Sequence, residues 1–219
     1  RNDKLEIGQF GPLGYVLAHQ VAHAEAVATF AGEDDKPATY TASIVTWPGS
    51  GIKSIADIKS RSFAYSDPSS TSGHLFPAYG LSKNGIDPDH GVKAIYAGSH
   101  TASFEALRNH KVQAGELNSE EIASAKLHNE FDPNAYVTLW QSEPIPLDPI
   151  AVRGNLPAEF KQRLAKVLSS LDFHELPEAD QKFLAANENP ALKTTVQSDS
   201  AYDQIRDLVK TLHVDLAKL

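Results

Sequence analysis

The order of apolar and polar positions along the chain predicts short strands alternating with helices. Lys4–Phe10 reads as a strand closed by the turn "GPLG", and Tyr15–His23 has helical spacing. "YTASIVTW" (Tyr40–Trp47) alternates and is rich in β-branched residues, which predicts a strand. Ser54 with Asp57 three residues on has the pattern of a capping box and starts a short helix. Further strands are predicted at Ser62–Ser66, Lys93–Tyr96, "KVQAGEL", Tyr136–Gln141 and Ile150–Arg153. Further helices are predicted at His74–Lys83, Ser99–Asn109, Ser119–Leu127, Ala158–Leu171, Glu178–Ala186 and Ser200–Leu212. Such alternation predicts an α/β fold with mostly parallel sheets.

Composition narrows the class. The 219 residues suffice for one large domain or two small lobes. No apolar run approaches the ~18 residues that would span a membrane. With 20 basic and 28 acidic residues the net charge is -8, and no basic stripe offers a nucleic-acid surface. An anion site on this chain must therefore act through local hydrogen bonds. The absence of cysteine removes disulfides, thiolate metal sites and cysteine nucleophiles from this chain.

One stretch is rich in donors: "FAYSDPSSTSGHLFP", residues 63–77, passes from a predicted strand through serines, a threonine and a glycine into a predicted helix. The first amides of a helix lack intrahelical partners and point along its axis, where the macrodipole favours a negative ligand. Ser70, Thr71 and Ser72 add hydroxyl donors, and Gly73 lets backbone approach closely. The same run also reads as an ordinary Ser/Thr helix cap. No Gly-Lys-Ser/Thr follows, so it is not a nucleotide-hydrolysing loop.

"DPSSTSGHLFP" resembles the signature of the phosphonate- and phosphite-binding periplasmic proteins of ABC transporters. "GQFGPLGYV", "GIKSIADIKSRSFAYSDPSSTSG", "AGSHTASFEALRNHKVQAG", "PIPLDPIAVRGNLP" and "SAYDQIRDL" resemble further family segments in the family's order. The resemblance implies a two-lobed α/β periplasmic-binding-protein fold (type II) with a ligand cleft between the lobes. On this expectation residues 1–47 and 144–219 form one lobe and residues 48–143 the other, with crossings near Thr46-Trp47-Pro48 and Pro144–Pro149. It implies a small phosphorus oxyanion as ligand, an ABC permease as partner, a periplasmic or lipid-anchored location, and no cofactor, metal or catalytic activity. A sensory receptor on the same fold is the alternative.

The family cradles its ligand with a Ser-Thr-Ser run, which here is Ser70, Thr71 and Ser72. The resemblance places Tyr15, His100 and Asp148 at the anion as well. Glu120 matches an acid that pairs with the amine of aminoalkylphosphonates, and Asn118 lies beside it as a further donor. The family's first strand-helix-strand section has no counterpart here. With no methionine and a strand-like opening, the chain is expected to be a fragment or processed form with an open edge at Lys4–Phe10 and weakened ligand binding.

Two other chemistries use residue types present in the chain. Ser70 or Ser72 with His100 and Asp148 matches the composition of a hydrolase triad, but no Gly-x-Ser-x-Gly elbow is present. His19 and His23 have the i, i+4 spacing of two metal ligands, with no third ligand close in sequence.

Overall fold

The computed structural model describes residues 4–32, 34–187 and 193–216. In chain order it contains β1 (Ile7–Gln9), α1 (Pro12–Ala22), β2 (Glu25–Phe30), β3 (Thr39–Tyr40), β4 (Ala42–Thr46) and β5 (Ser62–Tyr65). These are followed by α2 (Phe76–Lys83), β6 (Lys93–Tyr96), α3 (His100–Arg108), β7 (Ala114–Asn118), α4 (Ser119–Leu127) and β8 (Val137–Gln141). The rest of the chain forms β9 (Ile145–Pro146), β10 (Pro149–Val152), α5 (Ala158–Leu168), α6 (Glu178–Asn187), β11 (Thr194–Val196) and α7 (Asp203–Thr211).

The chain divides into two compact units, Arg1–Thr39 with Pro146–Asp207, and Tyr40–Ile145 with Leu208–Leu219. The first unit is built on a sheet ordered β1-β10-β2-β11 in which every pairing is antiparallel. Its strands come from both ends of the chain, so no helical crossover forces neighbours to run parallel. That corrects the expectation of mostly parallel sheets for this unit. Its two inner strands are β10 and β2, and the "EAVATF" of β2 was not among the predicted strands. The short β11, with three residues, was also missed.

The second unit carries a five-stranded sheet ordered β6-β5-β7-β4-β8. β5 runs parallel to β6 and to β7, while β4 pairs antiparallel with both β7 and β8. β4 is the one strand that runs against the others. Its pairings hold Ala42–Thr46 in this unit, which begins at Tyr40. The sequence expectation had set this boundary near Thr46-Trp47-Pro48, and the division also assigns the segment from Leu208 to the second unit.

Both faces of this sheet are covered. Ile44, Phe63 and Tyr65 face a cluster with Ile52, Ile58, Leu81 and Ile86. Val45 and Ala64, one residue out of phase, face Phe104, Leu107, Leu117 and Ala125. The period-2 pleat sends alternate side chains to opposite faces, so near-continuous apolar strands are needed. α2 lies so close to β8 that a Cβ at Gly80 would fall 2.8 Å from the Trp140 ring.

Candidate oxyanion site in the second unit

β5 delivers the chain to Ser66, and an Asp67 turn sets up the helix mouth. Asp67 accepts from the Ser69 amide at 2.8 Å and from the Ser69 hydroxyl at 2.5 Å. Ser70 is the cap, its Oγ accepting from Gly73 N at 3.0 Å. Thr71–Leu75 then makes a single widened turn, with Leu75 N donating to Ser70 O at 3.1 Å, before α2 begins. Such π-type turns recur at functional sites because they shift the following backbone by one residue. His74 braces the loop: Nδ1 donates to Pro68 O at 2.9 Å and Tyr96 OH donates to Nε2 at 3.1 Å.

Four of the residues expected at the anion come together here. His100 Nε2 lies 3.4 Å from Ser70 Oγ and 3.5 Å from Ser72 Oγ. Asn118 Nδ2 donates to Ser72 Oγ at 3.1 Å, while its Oδ1 caps α4 by accepting from Glu121 N at 2.7 Å. Thr71 and Ser72 are buried in the same turn. Glu120 follows Asn118 in the first turn of α4 and is half-buried.

Two groups of this site were not foreseen. Glu116, on β7, is buried, and its carboxylate oxygens lie 3.0 and 3.1 Å from His100 Nδ1. A charged residue within the otherwise apolar run "AGEL" was the available signal, since a buried carboxylate needs a partner. Burial pushes the Glu116 carboxyl up, opposed by the hydrogen bond and charge of His100. Burial pulls His100 down, but the hydrogen bond and charge of Glu116, with the charges of Glu121 and Glu120, outweigh it and the imidazole stands above its ordinary value. The second group is Ser66, whose buried hydroxyl has no hydrogen-bond partner among the described residues.

Tyr15 and Asp148 belong to the first unit. Tyr15, expected at the anion, is held within the core of the first unit. It is fully buried, its hydroxyl donates to Asp199 Oδ1 at 2.6 Å and accepts from Ala26 N at 3.1 Å, and its ring packs on Tyr202. The backbone carbonyl of half-buried Asp148 accepts from Thr29 Oγ1 at 3.0 Å. The acid hydrogen-bonded to His100 is Glu116. His19 Nδ1 donates to Ala24 O at 2.8 Å and His23 caps α1 in the left-handed region. Among the described residues no three His, Cys, Asp or Glu side chains are grouped to hold a metal.

Two α/β units and a strand-to-helix mouth lined with hydroxyls define the class of periplasmic solute-binding proteins. The family profile described as "ABC transporter, phosphonate, periplasmic substrate-binding protein" matches residues 1–202, and the chain belongs to that family. The phosphonates-binding periplasmic protein of Escherichia coli (strain K12) is 29% identical over 169 residues, covering 75% of this chain and 49% of that protein. The probable ABC transporter phosphite binding protein PhnD1 of Prochlorococcus marinus is 30% identical over 125 residues, 56% of this chain and 42% of that protein. A crystal structure of a binding protein component of an ABC phosphonate transporter from Pseudomonas aeruginosa is 28% identical with a TM-score of 0.77, covering 96% of this chain and 70% of that one. PhnD1 in complex with methylphosphonate shares the fold, with a TM-score of 0.77 at 22% identity, over 95% of this chain and 79% of that one. The chain spans about half the length of the curated relatives it matches, 49% and 42%. Among the described residues no helix is long and apolar enough to cross a membrane.

Proposed function

We propose that the protein captures a small phosphorus oxyanion, phosphonate or phosphite ahead of phosphate, and presents it to the permease of an ABC importer. The observation that carries this reading is the convergence of Ser70 Oγ, Ser72 Oγ and His100 Nε2 within 3.5 Å at the mouth of α2. Hydroxyls of Ser70, Thr71 and Ser72, helix-mouth amides, His100 and Asn118 supply the donors. Hydrogen bonds to a charged ligand contribute about 1.5–3 kcal/mol each, so a few donors suffice without a lysine or arginine. Glu120 takes the ligand's ammonium or protonated oxygen. The names of the relatives support this ligand class and a periplasmic location.

Selection against phosphate requires an apolar contact to the P–H or P–C bond, where phosphate would present a fourth oxygen. Titration calorimetry with phosphite, methylphosphonate, 2-aminoethylphosphonate, phosphate and sulfate tests the reading. Phosphite or a phosphonate should bind at least tenfold tighter than phosphate. Sulfate binding as tightly as phosphite would sink it.

One observation favours a second reading: serine, His100 and Glu116 lie in the sequence of contacts of a hydrolase triad. Against it, Ser70 Oγ is engaged as a helix cap and Ser72 Oγ accepts from Asn118. Labelling of either serine by a fluorophosphonate probe would reverse the choice.

A further inference from the structure

The His100–Glu116 contact has a chemical consequence that the donor count alone does not show. Glu116 presents both carboxylate oxygens to Nδ1; an ionised carboxylate only accepts, so beside ionised Glu116 the Nδ1 position carries a proton. That leaves Nε2 facing Ser70 Oγ and Ser72 Oγ. Each hydroxyl already accepts once, from Gly73 N or from Asn118 Nδ2, and has a single proton to give.

In the neutral imidazole Nε2 is a lone pair. The serine protons turn towards it, and an incoming oxyanion meets a lone pair and two hydroxyl oxygens. In the imidazolium Nε2 is a donor. The serines can no longer donate to it, and their protons are free to turn to the anion. One proton therefore changes the direction of several bonds at once.

We propose that Glu116 makes anion capture proton-coupled: it holds a second proton on His100, and that proton turns the Ser70 and Ser72 hydroxyls from the imidazole to the ligand. This rests on the oxyanion reading above. The charged groups acting on His100 are Glu116 from β7 and Glu120 and Glu121 from α4, all of which favour the imidazolium, and the loop before α2 meets Nε2 with the Ser70 and Ser72 hydroxyls. Burial alone opposes it. Because His100 stands above its ordinary value, its contribution to capture is fully present below the ordinary histidine range and is lost as pH rises through that raised value.

The test is methylphosphonate affinity against pH for the wild-type chain and Glu116→Gln. The ligand's own ionisation is common to both and cancels in their ratio. Glutamine keeps an acceptor for Nδ1 but removes the charge. The wild-type advantage should grow at least tenfold from about pH 5.5 to about pH 8, either side of the ordinary histidine value of ~6.5. A ratio constant over that range would show that Glu116 only holds the ring in place, and would overturn the proposal.

Imidazole NMR of the ligand-free proteins gives a second arm that needs no binding. His100 should titrate above the ordinary histidine range in the wild type and at lower pH in Glu116→Gln. Equal titration in the two overturns the coupling. If His100 shifts as expected but no phosphorus oxyanion binds the wild type, the oxyanion reading fails, and proton-coupled capture with it. Should the variant fail to fold, wild-type calorimetry in two buffers of different ionisation enthalpy decides. Proton uptake per bound ligand must exceed what the ligand itself takes up, and no excess at alkaline pH overturns the proposal.

Discussion

A Cβ at Gly73 would lie 1.7 Å from Ser66 Oγ, 2.8 Å from Ser66 Cβ and 2.9 Å from His100 Cε1. Rotating the serine hydroxyl would relieve only the first of these. Gly73 is therefore the point at which strand end, helix mouth and imidazole meet, and its own amide and carbonyl bond to Ser70 Oγ and Ser66 N. We expect Gly73→Ala to cost about 1–3 kcal/mol, the scale of overpacking a filled core, and to weaken anion binding by displacing His100. Adding Ser66→Gly should recover part of the stability. Urea denaturation of the single and double variants checks this, and a Gly73→Ala chain as stable as wild type would mean the mouth is looser than described.

Elements differ in how much of their role a linear pattern can carry. The strand-turn-helix passage from Ser62 to Lys83 was legible because its signals are local: alternating apolar residues, an Asp-Pro turn, hydroxyl caps. The partner of His100 was not, because Glu116 sits sixteen residues on in another element and only folding joins them. β2 escaped for a related reason, since "EAVATF" follows a helix with little turn chemistry and its place in the sheet comes from β10 and β11. In the same unit Asp199 binds elements that are far apart in sequence. Its Oδ1 accepts from Tyr15 OH at 2.6 Å and from Arg206 Nη2 at 2.5 Å, with His19 Nδ1 at 3.5 Å. Burial pushes the Asp199 carboxyl up, but the bonds from Tyr15 and Arg206 outweigh it and hold it below its ordinary value.

The carboxylate is nearly half exposed (46%), so its charge interactions are discounted for screening and the lost acceptor of the buried Tyr15 hydroxyl dominates. Asp199→Ala should destabilise by about 1–3 kcal/mol, the cost of an unsatisfied buried donor. The sign with pH follows from the depressed value. Stability from Asp199 is present above the ordinary aspartate range and is lost as pH falls through its folded value. The wild-type advantage over Asp199→Ala in urea should therefore shrink below about pH 4. An unchanged or growing gap in acid would show that the carboxylate does not act through these bonds.

At the scale of the whole molecule, the proposed anion-site residues of the hydroxyl-lined mouth fall in one unit. Ser70, Thr71, Ser72, His100, Asn118 and Glu116 all lie between Tyr40 and Ile145, in the second unit. A ligand that binds the folded form stabilises it by about 2.7 kcal/mol at a hundred times its Kd. For a chain of this size, 219 residues, each kcal/mol moves the melting temperature by about 2–4 °C. The two units have separate cores, so unfolding need not be a single transition. Scanning calorimetry with rising phosphite or methylphosphonate should raise the transition that includes the second unit by about 5–10 °C at that saturation. Hydrogen exchange identifies that transition, because amides of β5 and β7 must open with it. Equimolar sodium sulfate controls for general salt stabilisation and should move it much less. A transition that responds equally to sulfate, or one that moves while β5 and β7 open independently of it, would place the anion away from the mouth of α2.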